Sequence, residues 1–141
     1  MATDIETDLD IHLQIHSAAD IIAARHHCRT LGSHAGFPQS TVTVIATAVS
    51  EIVRNIVEYA QDGEITMNLV SDGPKTGIEI VASDRGPGIA DVAAVIREGS
   101  ADEPWRQSGM GLPATRRLMD EFEIVSAVGR GTTVTMKKWK A

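Results

Sequence analysis

A chain of 141 residues with 43% apolar content can bury one core and falls short of two domains of ordinary size. Its 13 basic and 19 acidic side chains leave a net charge of -6, which disfavours broad attraction to nucleic acid or anionic lipid and favours a protein or nucleotide partner. Cys28 has no second cysteine to pair with, the start Met1-Ala2-Thr3-Asp4-Ile5-Glu6 lacks the pattern of a signal peptide, and no run of about 18 apolar residues offers a membrane span, so cytoplasmic residence is expected.

Along the chain, Leu9, Ile11, Leu13 and Ile15 alternate with Asp10, His12, Gln14 and His16, the period of a strand with one buried face. Ser17 is placed to cap a helix over 18 to about 34, with Ile21, Ile22, Ala24, Cys28 and Leu31 inward. Pro38 and Ser40 open a second helix, about 40 to 60, whose stripe is Val42, Ile45, Ala46, Val49, Ile52, Val53, Ile56, Val57 and Ala60. Asp62-Gly63 ends it. Two strand-like runs follow, Glu64 to Val70 and Gly77 to Ser83, joined by the turn Ser71-Asp72-Gly73-Pro74-Lys75. Residues 84–89 form a glycine turn, 90–98 a short helix, 99–109 a polar loop carrying Trp105, and 111 to about 120 a further helix. The end reads as a second hairpin, Glu123 to Val128 and Thr132 to Trp139 around Gly129-Arg130-Gly131. With no internal repeat, residues 1–141 are expected to form one α+β domain, a two-layer sandwich with helices on one face of a mixed, largely antiparallel sheet.

Three short patterns bear on chemistry. Glu51 and Asn55 lie four residues apart on the second helix, hence on one face and away from the stripe centred on Val49. They either share a ligand, the carboxylate taking a proton and the amide oxygen meeting a hard cation, or decorate a solvated face. Asp84-Arg85-Gly86-Pro87-Gly88-Ile89 stands where an apolar strand ends; it is either a turn whose aspartate accepts from an amino group while the backbone closes round a ligand, or a plain surface turn. Ser108-Gly109-Met110-Gly111-Leu112 leads into a helix near Pro113 and is either a phosphate-binding helix start or a capped hinge; the P-loop pattern is absent.

Taken in order, E-x-x-x-N on a helix, D-x-G-x-G after a strand, G-x-G before a helix and Gly131-Thr132 near the end resemble the nucleotide-binding fold shared by gyrase, heat-shock chaperones of the ninety-kilodalton class, sensor histidine kinases and mismatch-repair ATPases, the GHKL superfamily. The resemblance runs from about Asp20 to Trp139. The run Ser50-Glu51-Ile52-Val53-Arg54-Asn55-Ile56-Val57-Glu58-Tyr59-Ala60 looks most like the serine/threonine kinases of bacterial partner-switching systems. Ala23-Ala24-Arg25, Gly111-Leu112-Pro113 with Arg117-Leu118-Met119-Asp120-Glu121-Phe122, and Lys138-Trp139 bring it closer to the RsbT-type switch kinases of the stressosome than to the RsbW and SpoIIAB anti-sigma kinases.

Carried over to matching positions, the resemblance implies that Glu51 is the general base and Asn55 the magnesium ligand, with ATP as the nucleotide. Asp84 would bind the adenine amino group, Gly86, Gly88 and Ile89 would shape the base pocket, and Thr132 would assist Asp84 through water. Gly109, Met110, Gly111 and Leu112 would wrap the phosphates. Arg54 and Arg106 either meet the γ-phosphate or an acidic partner or are solvated, with solvation favoured, and residues between Glu98 and Ser108 match the family poorly. The partner implied is a STAS-domain antagonist that is phosphorylated and exchanged, with a protein phosphatase or a sigma factor as a further partner. The alternative is a module that binds ATP without transfer, an anti-sigma factor or phosphatase activator. A clamp ATPase would need a transducer domain, and a histidine kinase a preceding dimerisation helix; neither is expected. His12, His16, His26 and His27 make no ligand set at zinc spacings, and Ser50 lacks the histidine a nucleophile needs.

Overall fold

The structure is a computed structural model and describes residues 10–89 and 111–140. Strand β1 (Ile11–Ile15) leads to helices α1 (Ala18–His34) and α2 (Gln39–Asn55), the second running on as a π-helical turn, Ile56–Ala60. Strands β2 (Gly63–Asp72) and β3 (Lys75–Asp84) follow, then helix α3 (Leu112–Leu118) and strands β4 (Glu121–Ala127) and β5 (Gly131–Trp139). The five strands form one sheet in the order β1-β2-β3-β5-β4, and every pairing among the described residues is antiparallel, so no parallel pair accompanies them as a mixed sheet would require. Otherwise the α+β sandwich is as expected. Leu9 and the short helix of 90–98 lie outside the described residues.

Alternation along the strands decides what the helices touch. Ile15, Ile65, Met67, Ile78, Ile80, Ala82, Val134 and Met136 are buried on one sheet face. The other face carries polar pairs: His12 to Glu64 at 2.8 Å and Ser83 to Thr133 at 3.1 Å. Helix α2 lies over the buried face with Val42, Ile45, Ala46, Val49, Ile52, Val53 and Ile56 all at or below 2% exposure. Ala48 and Ser50, outside the stripe, are buried too, because α1 and α3 pack on the flanks of α2. Ser50 donates its hydroxyl to the Ala46 carbonyl at 2.9 Å, which satisfies it without a catalytic partner. Gln39–Ala60 is in fact long and apolar enough to cross a bilayer, against the expectation from its sequence, but half of that apolar stretch is buried inside the fold.

Helix α1 follows the sequence except at Ile22, which is 62% exposed rather than inward. Ala24, Cys28 and Leu31 share one face, with Ile21 three residues before Ala24; Ile22, two residues before Ala24, falls on the opposite side. The hairpin closes more tightly than expected. Asp72 pairs with Lys75, leaving Gly73 (φ 62°) and Pro74 as a two-residue loop whose first position takes a positive φ. Helix α3 stops at Leu118, and β4 begins at Glu121, two residues earlier than the sequence reading, with Lys138 Nζ donating to the Leu118 carbonyl at 2.9 Å.

Asp20 secures the entry to α1: its Oδ2 accepts the backbone amides of His16 at 2.7 Å and Ser17 at 3.0 Å. These bonds hold its carboxyl below the usual range. Asp20→Ala is expected to cost about 1 kcal/mol of stability in urea unfolding at neutral pH. Because the folded pKa is the lowered one, the difference from wild type should be complete above the ordinary carboxylate pKa and shrink as pH falls through the folded value.

Candidate functional site

The C-terminal half of α2, the end of β3 and the start of α3 converge beside the helix-covered face of the sheet. Glu51 is not on a solvated face: its side chain is 27% exposed, and its Oε2 is buried with no hydrogen-bond partner among the described residues. Its other oxygen, Oε1, accepts from Arg54 Nη1 at 2.8 Å. Burial pushes the Glu51 carboxyl up from its ordinary value, against the opposing pull of the Arg54 guanidinium. One turn on, Asn55 places a buried amide oxygen on the same side of the helix. Beyond Asn55 the helix widens into the π turn, closed by the Gln61 amide to the Ile56 carbonyl, and Gln61 ends it at φ 66°. Such widened turns recur at functional sites. The Tyr59 hydroxyl within this one is buried without a partner among the described residues.

Gly111 approaches this cluster from the other side. A Cβ built on it would lie 3.0 Å from Glu51 Oε2, and its φ of 59° is one that a side chain would strain. A residue that must be small and left-handed thus stands against Oε2 of the carboxylate. Leu112, next in the chain, buries its side chain in the core at 2% exposure, which leaves only its main chain for a ligand. Gly109, Met110, Trp105 and Arg106 lie outside the described residues.

The second group is built on register. Asp84 closes β3 opposite Gly63 of β2 and Thr132 of β5, and its Oδ1 accepts the backbone amides of Gly86 at 2.9 Å and Thr132 at 3.2 Å. Burial raises the Asp84 carboxyl above its usual value, and the two amides only partly offset this. Thr132 therefore reaches Asp84 directly through its main-chain amide, where the resemblance implies a water, while its hydroxyl lies 2.7 Å from Ser126 Oγ. Ser126 also accepts the Ile89 amide at 2.8 Å and donates to the Gly131 carbonyl at 3.0 Å. It ties the glycine turn to the β4–β5 hairpin. Gly88, at φ 79°, packs against the Ala127 carbonyl so closely that a Cβ would overlap it.

The structure thus brings Glu51, Asn55 and Gly111 into one cluster and Asp84, Gly86, Ile89 and Thr132 into a second. Sequence reasoning missed Arg54 as the partner of Glu51, Tyr59 and Ser126. The i, i+4 spacing from Asn55 marks Tyr59, and Ser126 is a polar break in the alternation Phe122, Ile124, Ser126 on the covered face. Of the four histidines weighed for a metal, His12 meets Glu64 at 2.8 Å and His16 meets Asp62 at 3.1 Å.

A domain of this architecture, with a polar cluster on a core helix and an aspartate at the end of a neighbouring strand, defines a class. Residues 16–138 match the histidine kinase-like ATPase domain, and the chain belongs to that family of ATP-binding domains. It is similar to the serine/threonine-protein kinase RsbT of Bacillus subtilis (strain 168), 42% identical over 120 residues that span 85% of this chain and 89% of the relative. It is also similar to the anti-sigma F factor of Pasteuria penetrans, 37% identical over 69% of this chain and 67% of that one, and of Thermoanaerobacter sp. (strain X514), 34% identical over 67% and 68%. The catalytic domain of the histidine kinase ThkA shares the fold, with a TM-score of 0.52 at 13% identity over 92% of this chain and 96% of its own.

Asp84 yields a test of stability apart from ligand. Its folded pKa is the raised one, so the native state holds the proton longer than the unfolded chain and stability falls as pH rises through that window. Asp84→Asn keeps an acceptor for both amides and removes the buried charge. Its thermal midpoint at neutral pH should equal or exceed that of the wild type; a clear drop would mean that the carboxylate stabilises the fold.

Proposed function

We propose that the protein is an ATP-dependent protein serine/threonine kinase of a partner-switching system, acting on a STAS-domain antagonist in the cytoplasm. The observation that carries the reading is the buried Oε2 of Glu51, which has no hydrogen-bond partner among the described residues. A buried polar atom left unsatisfied costs about 1–3 kcal/mol, a cost that persists where a ligand or reacting group completes the site. In this reading Glu51 accepts the proton of the acceptor hydroxyl as that oxygen bonds to the γ-phosphorus of ATP. The bond from the γ-phosphorus to the leaving oxygen of ADP breaks, giving a phosphoserine or phosphothreonine.

The donor set fits magnesium: Asn55 brings a hard, buried amide oxygen one turn from the carboxylate, and would hold the ion. When bound, the ion neutralises charge on the phosphates. Asp84 takes the adenine amino group on the oxygen that the Gly86 and Thr132 amides do not use, and Gly86, Gly88 and Ile89 line the base, with Thr132 and Ser126 bracing the turn. Gly109, Met110, Gly111 and Leu112 wrap the phosphates through their main chain. Phosphorylation of the antagonist releases the kinase for a second partner, such as a protein phosphatase that it activates by binding. Cys28, buried and pushed up to about 12, is a packed thiol with no part in this chemistry.

A second reading draws on the anti-sigma F factors among the relatives: a module that binds ATP and a partner without transfer. Radiolabelled ATP separates the two. With magnesium and a STAS-domain protein, the wild type should label a serine or threonine on that protein, and Glu51→Gln should lose labelling while binding ATP with unchanged affinity. Transfer retained in Glu51→Gln would remove the base assignment. Asn55→Ala should lose the magnesium dependence of ATP binding in calorimetry, and Asp84→Asn should weaken adenine nucleotide binding roughly tenfold. No heat on titrating the wild type with ATP and magnesium would end the nucleotide reading.

A further inference from the structure

We propose that Arg54 is the positioning residue of Glu51: its guanidinium grips Oε1 and so turns Oε2, the oxygen beside Gly111, toward the acceptor hydroxyl. The inference rests on the kinase reading above. An unheld glutamate on a helix samples several rotamers, and a base must meet its proton within hydrogen-bond reach. Arg54 removes that freedom from its place three residues on, donating Nη1 to Oε1 at 2.8 Å. Both side chains are shielded, at 36% and 27% exposure, so water competes for the pair less than at an open surface. The division of labour between the two oxygens is sharp. Oε1 is bonded, while Oε2 is buried, without a bond among the described residues, and 3.0 Å from where a Cβ on Gly111 would stand.

The same contact tunes basicity. Burial favours the protonated acid, in which Glu51 cannot take a proton; Arg54 counters it, and Glu58 works the other way. Both charges come from α2 and its π-helical extension, Arg54 three residues on and Glu58 seven, while α3, which packs on α2, brings Arg116 and Arg117 in its last turn. Lysine in place of Arg54 would keep the charge and lose the planar guanidinium that fixes the carboxylate's orientation. Position and protonation should therefore separate on substitution.

The test joins two readouts. Carbon-13 NMR follows the titration of the Glu51 carboxyl in nucleotide-free protein, its signal assigned by its loss in Glu51→Gln. Phosphoryl transfer to a purified STAS-domain protein is measured over the same pH range. In Arg54→Gln the Glu51 midpoint should rise, and transfer at neutral pH should fall about tenfold as the carboxylate loses its hold, with ATP affinity unchanged. The acid limb of the transfer profile should move up with the midpoint. Arg54→Lys should restore the midpoint but only part of the rate, a split that a merely structural role would not produce; thermal melts of both variants check the fold. An unmoved midpoint in Arg54→Gln overturns the proposal. Loss of transfer in Glu51→Gln with full transfer in Arg54→Gln overturns this inference alone, whereas full transfer in Glu51→Gln overturns the base assignment as well.

Discussion

The burial of α2 is the constraint from which the rest follows. The helix is packed from below by the sheet and on its flanks by α1 and α3, so only a narrow face remains for polar side chains. Glu51 and Asn55 occupy that face. A carboxylate there is only partly hydrated, its pKa is raised above the ordinary value, and one of its oxygens is left without a bond among the described residues. On an open helix the same residues would be solvated and interchangeable with many others. Packing supplies the rigidity too, since a helix with eight buried residues spread from Val42 to Val53 has little freedom to tilt.

The second constraint is the register of the sheet. Antiparallel pairing sets Asp84, Gly63, Thr132 and Ser126 in one row at the end of the covered face, next to where α2 finishes its π turn. That row is where the apolar alternation of three strands gives way to polar groups. It supplies two amides to one oxygen of Asp84 and, through Ser126, fastens the glycine turn to the hairpin opposite. The two polar clusters are thus held by different elements, one by a helix and one by a row of the sheet, and the core between them fixes their separation.

Much of the fold is legible in periodicity. The strand alternation of Ile11, Leu13 and Ile15 and the long stripe of α2 are strong signals, because burial of one face imposes a repeat that turns and loops lack. Ile22 departs from the expectation because successive side chains on a helix point in different directions, and the spacing from Ala24, Cys28 and Leu31 turns Ile21 inward and Ile22 outward. The π turn leaves no mark in the sequence, since a widened turn barely changes the apolar spacing over so few residues.

By itself the sequence determined which residues are polar at helical and turn positions, and so named Glu51, Asn55, Asp84 and the glycines around them. Tertiary structure alone decided their condition: that Glu51 is largely shielded with one oxygen buried, and that Thr132 meets Asp84 through its main chain. The reason is physical. Spacing along a chain reports local geometry, whereas desolvation and partnership depend on which distant segments pack alongside.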